Sequence, residues 1–451
     1  MKKIQVFAIA YIIGMFFLVC GYSIGRFKIF PYEMIEPLIQ EYQTFAKGDV
    51  MEKKTSALEK LLHDWGFSFA RLLYTYPELA IKNSTPLHHP ALEKRDELPL
   101  LFIDKNHREG YRIVIGALNL NEAFWGGLLI SPSGEAIHAW EMSSAHMPGG
   151  APQEQLKNLY GVHVFPDGSA IFSTQESGGG LVKIDACSNV VWNLEGHFHH
   201  TVSPDDNGYF WSFQGSQKSL DQDMVRISVE TGEIVQLIKM ADVRKANPYL
   251  HIWDMHPLTL DASQLTYKEN GNATHGNDIE VLPKELAAEF SEYKPGDLLI
   301  SYASTNLIFI LDPNTLAVKW WRVGLSDMQH DPDWEPGGKI SIYSNNSRVD
   351  KEFSDIVTVD PKTMQHEVVH HGESVGFYSR MNGRQQLTPF GTRFITSATQ
   401  GWAYEVDNEG SIVFSFVNNI NKGKMQALHM AEAWRYREDY FDTDFWTSCP
   451  K

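Results

Sequence analysis

The chain has 451 residues, of which 43% are hydrophobic and 21% are charged, and its formal net charge is -17 at pH 7. This composition describes a folded chain that can bury a large core, and it excludes extensive disorder. The acidic balance and the lack of a long Lys/Arg cluster argue against a nucleic-acid partner, because phosphate binding needs a basic face.

The N-terminus carries a long apolar segment. Lys2 and Lys3 precede about 22 residues without a charge, "IQVFAIAYIIGMFFLVCGYSIG", which is long enough to cross a membrane as a helix. No small-x-small cleavage pattern follows, so we expect residues 1–26 to be an uncleaved signal anchor rather than a removed signal peptide. Such a single-pass anchor would place the rest of the chain on the exported, periplasmic side.

The three cysteines are Cys20, Cys187 and Cys449. They form no CxxC pair and no metal-ligand spacing, so neither a zinc ribbon nor a disulfide framework is indicated. A single bridge between Cys187 and Cys449 remains open in an oxidising compartment.

Residues 27–99 are expected to form a helical stalk and a linker. Apolar residues three and four apart predict two amphipathic helices between Tyr32 and about Ala80. The segment 83–99, "NSTPLHHPALEKRDELP", is polar and contains prolines, which predicts a linker.

Residues 100–440 are expected to be all-β, because short β-branched and aromatic segments alternate there with turn dipeptides. Only "PKELAAEFSEY" (283–293) has a helical pattern. A unit of four strands, first seen in 163–196, recurs with variations, and a partial unit precedes it. Six such units predict a six-bladed β-propeller. The last strand, within 427–437, would complete the first blade, and 441–451 would be a C-terminal tail. A sandwich or a pair of sandwiches explains the repeat less well.

Histidines recur at one place in these units. His163, His200 and His330 each stand before a turn signal at the predicted head of a first strand, and His275 has the same place in "THGNDIEVLP". The first strands of propeller blades surround the central channel, so these four imidazoles are expected in one axial pocket. Converging imidazoles suit either metal ligation or acid-base and nucleophilic catalysis.

Residues near these histidines are expected to point elsewhere. His197 and His199 are predicted to lie in the approach loop, solvated or in supporting roles. Asp278 and Asp331 follow a histidine by one to three residues, so strand alternation should turn some of these carboxylates away from the channel.

Several segments of the chain resemble the arylsulfotransferase-like propellers, which are periplasmic or membrane-anchored and use no nucleotide sulfate donor. The matching segments span about residues 196–417 and are "HHTVSPDDNGYFW", "HGNDIEVLP", "GDLLISYASTNLIFILDPNT", "QHDPDWEPGGKISIYSNN", "FYSRMNGRQQLTPFGTRFI" and "GWAYEVDNEGSIVFSF". The resemblance implies a six-bladed propeller that transfers a sulfuryl group from an aryl sulfate to a phenolic acceptor, without a cofactor.

The resemblance also implies roles for single residues. His330, in "QHD", matches the nucleophile that forms a sulfohistidine. His200, in "HH", and His275 with Asn277, in "HGND", would hold the sulfuryl oxygens and handle the phenol proton. His163 has no counterpart in the family motifs and is a substrate-binding candidate from its position alone.

One feature of the family is missing. The strand that supplies an arginine to the sulfuryl group reads "LLISYASTNLI" here and carries no cation. Arg380 or Arg384, in "FYSRMNGRQQL", could substitute as substrate-binding residues. The missing arginine leaves a second hypothesis open, a non-catalytic or divergent propeller that binds a small anion or glycan, and a metal-dependent hydrolase is a third.

Overall fold

The structure is a computed structural model that describes residues 73–119, 124–143, 146–147, 159–174, 180–215, 222–253, 258–261, 266–269, 275–349, 351–442 and 444–449. The predicted signal anchor, 1–26, lies outside these residues, as does nearly all of the predicted helical stalk. Within the described residues, no helix combines the length and apolar character needed to span a membrane.

Antiparallel strands form the described body, and their order along the chain is as follows. Before the first complete sheet come β1 (Leu73–Thr75), β2 (Thr85–Pro86) and β3 (Leu100–Ile103). Then follow β4 (Tyr111–Asn119), β5 (Phe124–Ile130), β6 (Ala136–Glu141), β7 (Leu159–Val164), β8 (Ala170–Thr174), β9 (Gly180–Ile184) and β10 (Val190–Glu195). The next group is β11 (Phe198–Pro204), β12 (Tyr209–Gln214), β13 (Asp223–Ser228), β14 (Ile234–Ile238), helix α1 (Met240–Ala246), β15 (Leu258–Asp261) and β16 (Thr266–Glu269).

The second half of the chain repeats the pattern. Its strands are β17 (Gly276–Val281), β18 (Leu298–Tyr302), β19 (Leu307–Leu311), β20 (Val318–Val323), β21 (His330–Glu335), β22 (Lys339–Ser344), β23 (Asp355–Val359) and β24 (His366–His371). The chain ends with β25 (Arg384–Leu387), β26 (Arg393–Ser397), β27 (Trp402–Val406), β28 (Ile412–Val417), β29 (Asn419–Asn421), β30 (Gln426–Leu428) and β31 (Met430–Tyr436). Single 3-10 turns lie at Glu78–Ile81, Pro90–Leu92, Ala287–Glu289, Gly372–Ser374, Ala398–Gln400, Lys422–Lys424 and Phe445–Thr447.

The strands form successive four-stranded meanders. Four sheets are consecutive in the chain, β7 to β10, β11 to β14, β17 to β20 and β21 to β24. A fifth joins the C-terminal β31 to β4, β5 and β6, as predicted for the strand that completes the first unit. In the sixth, β25 to β28 are extended by β3 and β2. The described body is therefore all-β, with one α-helix, and its sheet pattern is propeller-like.

One strand from each sheet contacts its counterparts in a closed series, β7, β11, β17, β21, β25, β31 and back to β7. We call these six the inner strands. Apolar clusters fill the spaces between neighbouring sheets, for example Phe213 of β12 with Phe309 of β19. This packing fixes the inner strands around a common centre.

Aspartates in the hairpins explain why the chain turns where it does. Asp185 accepts hydrogen bonds from the backbone N–H of Cys187 and Asn189, and Asp407 does the same for Glu409 and Ser411. These side chains replace the backbone bonds that a tight turn leaves unmade. The turn segments predicted from the sequence therefore form the hairpins that connect neighbouring strands.

The body begins before residue 100, so the predicted linker is wrong. β1 pairs with β30 and β2 with β3, and the side chains of Leu87 and Leu92 are buried. Residues 73–75 are extended, although the predicted second helix included them. The predicted helix at 283–293 is only the turn Ala287–Glu289, and α1 was not predicted.

The C-terminal segment is packed rather than free. Phe445 is buried and lies against Gly168, where an added Cβ would come within 2.6 Å of the Phe445 ring. Cys449 forms a disulfide with Cys187, with their Cα atoms 5.2 Å apart. The bridge that the sequence left open thus ties the end of the chain to the hairpin between β9 and β10.

The disulfide should stabilise the body. C187S or C449S should lower the free energy of unfolding by about 2–5 kcal/mol, since either releases the closed loop in the unfolded chain. Denaturant titration under non-reducing conditions measures this, and C20S is the control, because it leaves the bridge intact. Finding three reactive thiols per denatured, unreduced parent chain would contradict the bridge.

Candidate active site

Irregular pairing marks the start of most inner strands. The register shifts at Tyr160/Val162 in β7, His199/Ser203 in β11, Gly276/Asp278 in β17, His330/Asp333 in β21 and Met430/Glu432 in β31. Such bulges redirect side chains next to functional sites. His200 (φ 67°), His275 (φ 49°) and Asp331 (φ 49°) adopt the left-handed conformation that this bending requires.

His330 is the first residue of β21, and its ring is held by two acceptors. Its Nδ1 lies 2.7 Å from Oδ1 of Asn345 and 3.2 Å from the carbonyl oxygen of Met328. The Asn345 amide is oriented by its nitrogen, which donates to the carbonyls of Ser379 and Asn382, each at 2.8 Å. Since both neighbours of Nδ1 are acceptors, Nδ1 carries the proton and Nε2 carries the lone pair.

His200 and His275 lie side by side. Their ring centroids are 4.9 Å apart with the rings at 73°, and Tyr160 packs against the other side of His200 at 5.0 Å. His200 is buried in the third position of β11, whereas His275, directly before β17, is partly exposed. The structure thus brings two of the predicted histidines into contact.

All three histidines are kept neutral at pH 7. Burial lowers the pKa of His330 to about 3 and that of His275 to about 4. Burial, reinforced by the charge that His275 and His199 would carry, holds the pKa of His200 well below its usual range. The charge that His275 or His330 would carry further disfavours protonation of His200, and the charge that His275 would carry disfavours protonation of His330.

Asn277 supports the position of His330. Its side-chain amide donates to the carbonyl of Gln329 at 2.9 Å, and its Oδ1 is buried with no hydrogen-bond partner among the described residues. Asn277 therefore fixes the backbone immediately before the candidate nucleophile.

Arg384 occupies the centre of the inner strands, and its side chain is 14% exposed. Nη1 donates to Asp278 at 3.0 Å and to Asp331 at 2.6 Å, and Nη2 donates to the carbonyl of His200 at 2.7 Å. Nε lies 3.7 Å from Glu432. The guanidinium is near the histidines, but its donors are directed at carboxylates and a backbone carbonyl.

Arg380 lies elsewhere. Its side chain is exposed, and the contacts described for it are made by its backbone, which donates to Thr399 and accepts from Ser347. The structure gives no support to a substrate-binding role for Arg380.

A cavity of about 340 Å³ is lined by residues of the inner strands, mostly from their carboxyl-terminal halves, together with Asp331 and Arg384. Its polar side chains include Glu280, Asp333 and Glu432 beside Arg384. Burial raises the pKa of Glu432 to about 8, and burial together with neighbouring carboxylates raises the pKa values of Glu280 and Asp333 well above their usual range. Burial therefore favours the protonated form of these three carboxyl groups.

His163 belongs to that cavity, and the prediction that it shares a pocket with the other histidines is wrong. It is the fifth of six residues in β7, next to Phe165 and Trp434. The "PDG" turn after it closes the hairpin from β7 to β8, so His163 stands at the end of its inner strand. His200, His275 and His330 stand at the opposite ends of theirs.

His199 is buried and 2% exposed, and it lies in β11 rather than in the approach loop, where it was predicted to be solvated or in a supporting role. Its Nδ1 lies 2.8 Å from Nδ1 of His200, and its ring stacks on Phe213. His197 is exposed, in agreement with its predicted place in the approach loop.

His429 is a site residue that the sequence reasoning missed. It directly precedes β31, is buried, and lies 5.8 Å from the Trp125 ring. Its Nε2 lies 3.5 Å from the amide nitrogen of Asn382, whose carbonyl accepts from Asn345 beside His330. The signal was present in "ALHMAEAW", where the histidine stands before its strand as His275 does before β17.

In the described parts of the chain, no three His, Cys, Asp or Glu side chains are grouped so that they could hold a metal ion.

Comparison with known proteins gives one family. The model of a family described as arylsulfotransferase (ASST) matches residues 161–419, more than half of the chain. No curated protein matches the sequence. Similar solved structures include a protein of unknown function from Bacteroides caccae (11% identity, 73% of this chain and 100% of that chain, TM-score 0.46) and TolB from Acinetobacter baumannii (12%, 72% and 66%, TM-score 0.43).

Arg384 should matter more for stability than Arg380. R384Q leaves Asp278 and Asp331 buried without a cation, so we expect a loss of about 3–5 kcal/mol in unfolding free energy at pH 8. The loss should be smaller at pH 5, because Asp331, whose pKa is about 6 even beside the guanidinium, then binds a proton. The control variant R380Q changes an exposed arginine and should alter the free energy of unfolding by less than about 0.5 kcal/mol. Equal effects of the two variants in denaturant titrations would contradict this assignment.

Proposed function

Because the chain belongs to the arylsulfotransferase (ASST) family, we propose that it transfers a sulfuryl group from an aryl sulfate to a phenolic acceptor, with His330 as the nucleophile. One observation carries this proposal: Asn345 and the carbonyl of Met328 hold the proton of His330 on Nδ1, which leaves the lone pair on Nε2. A neutral imidazole nitrogen with a fixed lone pair is prepared for attack at sulfur.

The closed series of six inner strands supports a six-bladed propeller as the scaffold. The site then lies where the amino-terminal ends of the inner strands meet. We also propose that residues 1–26 anchor the protein in the membrane with the propeller on the exported side, as the apolar N-terminal segment predicts.

The transfer takes place in two displacements. In the first, Nε2 of His330 forms a bond to sulfur, the bond between sulfur and the aryl oxygen breaks, and the phenolate leaves with that electron pair and takes a proton from solvent. In the second, the acceptor oxygen bonds to sulfur, the N–S bond breaks, and the phenol proton passes through His275 to solvent. Because Asn345 keeps the proton on Nδ1, His330 leaves the sulfuryl group as a neutral imidazole.

The charge on the sulfuryl group must be stabilised without a free guanidinium from Arg384. That side chain gives its donors to two carboxylates and a carbonyl, so its charge is already neutralised. We propose that N–H donors of His200 and His275 take this role, since preorganised neutral donors also stabilise developing charge.

The same observation favours a second function, in which the site binds a small anion or glycan without turnover. A site with less positive charge can bind such a ligand and still lack the stabilisation that group transfer needs. The trapping experiment below separates the two functions.

A sulfohistidine should be detectable at His330. We expect brief incubation of the full chain with a chromogenic aryl sulfate, without acceptor, to add one SO₃ group to the peptide that contains His330, as measured by mass spectrometry. H330A should lose the adduct and lower kcat by at least about 1,000-fold, because the nucleophile is absent.

The matched control is H366A, which removes an exposed histidine of β24 and should keep both the adduct and the activity. An H330A variant that turns over as fast as the parent contradicts catalysis by His330. Saturable binding of the aryl sulfate without adduct or product supports the second function instead.

Activity should persist in mild acid. Burial lowers the pKa of His330 to about 3, so its Nε2 lone pair is available at any pH above that value. We expect kcat/KM, measured in short assays from pH 4 to pH 8 with circular dichroism to check folding, to show no acid-side midpoint near 6.5 that moves in N345A. A midpoint there that moves in N345A would indicate that His330 is an ordinary, solvated histidine.

A further inference from the structure

His199 and His200 form a buried pair of imidazoles that the family match does not explain. Their Nδ1 atoms lie 2.8 Å apart, and their rings are nearly perpendicular, at 88°. Two lone pairs would repel at this distance and two N–H groups would collide, so one hydrogen lies between the nitrogens. One ring therefore donates and the other accepts.

The surroundings of His199 decide which ring donates. Its Nε2 is buried with no hydrogen-bond partner among the described residues, and its ring stacks on Phe213 at 5.5 Å with 13° between the planes. A buried N–H without an acceptor is rarer and more costly than a buried lone pair without a donor. The proton of His199 is therefore on Nδ1 and is donated to His200.

This bond sets the tautomer of His200. Because His200 accepts at Nδ1 and burial keeps it neutral, its own proton is on Nε2. His275 and Tyr160 pack against this ring, at 4.9 and 5.0 Å between centroids. His330 has the opposite tautomer, with its lone pair on Nε2.

We propose that His199 is a positioning residue that holds His200 as a neutral N–H donor toward the sulfuryl group. His330 then offers a lone pair to the sulfur while His200 offers a hydrogen bond to an oxygen, and no proton is transferred by His200. The inference rests on the proposed function for its substrate, but the tautomer of His200 is a property of the protein without substrate.

The test combines nitrogen NMR with kinetics on the full chain. Protein with ¹⁵N-labelled histidine is compared for the parent, H199F, H199N and H197F, and H200Q identifies the His200 signals. H199F keeps an aromatic ring on Phe213 but removes the donor. H199N places an amide N–H near the former Nδ1, so it should restore the bond. H197F changes the exposed histidine two residues earlier.

The parent should show His200 protonated on Nε2. H199F should move His200 toward the Nδ1–H tautomer and lower kcat by about 10- to 100-fold with a smaller change in KM, as expected when a supporting hydrogen bond is lost. H199N should restore both the tautomer and most of kcat, and H197F should leave both unchanged.

The inference is overturned if His200 carries its proton on Nδ1 in the parent, or if its signals are the same in H199F. If H199F fails to fold, the spectra of the parent and of H199N still show whether His200 carries its proton on Nε2. Absence of any sulfohistidine together with an Nε2–H tautomer of His200 would refute the proposed function but leave the assignment of the pair standing.

Discussion

A network of ion pairs and hydrogen bonds that centres on Arg384 connects all six inner strands. Arg384 of β25 bonds to Asp331 of β21, to Asp278 of β17 and to the carbonyl of His200 in β11, and it lies near Glu432 of β31. Glu432 in turn accepts from the backbone N–H of Val162 in β7. A buried guanidinium needs such a set of acceptors, because an uncompensated charge in the interior is very costly.

This network also explains the position of the candidate site. Asp331 follows His330 directly and Asp278 lies three residues after His275, while His200 contributes its own carbonyl. Every bond to Arg384 therefore fixes the backbone within a few residues of a site histidine. The guanidinium therefore orders the site, and the carboxylates of Asp278 and Asp331 already balance its charge. Group transfer would rest on neutral imidazoles, whose pKa values burial lowers.

The order of the strands and hairpins can be predicted from the sequence because it depends on residues that are close together in the chain. Turn aspartates such as Asp185 and Asp407 close hairpins through bonds to their own backbone, so strand order could be inferred from their spacing. The positions of His200, His275 and His330 followed from that order. The contacts of β1 and β3 could not be inferred, because their partners β30 and β28 lie in distant parts of the chain.

Predictions about individual side chains failed where the strands bulge. Regular alternation would turn Asp331 away from the channel if His330 faces it, yet both lie in the interior, because the register shifts between His330 and Asp333. The shift between His199 and Ser203 likewise buries two adjacent histidines in β11. A bulge depends on the neighbouring strand, so a two-residue period cannot reveal it.

The failures at the bulges therefore have a common cause that bears on function. His200, His275 and Asp331 have left-handed backbones that cost free energy for residues other than glycine, and strands rarely contain them. The bonds to Arg384 and between the two imidazoles of β11 hold the conformations of His200 and Asp331 in place. Prediction from strand alternation fails at residues whose backbone conformation is determined by contacts within the site rather than by strand pairing. Such departures from regular structure are expected at functional sites.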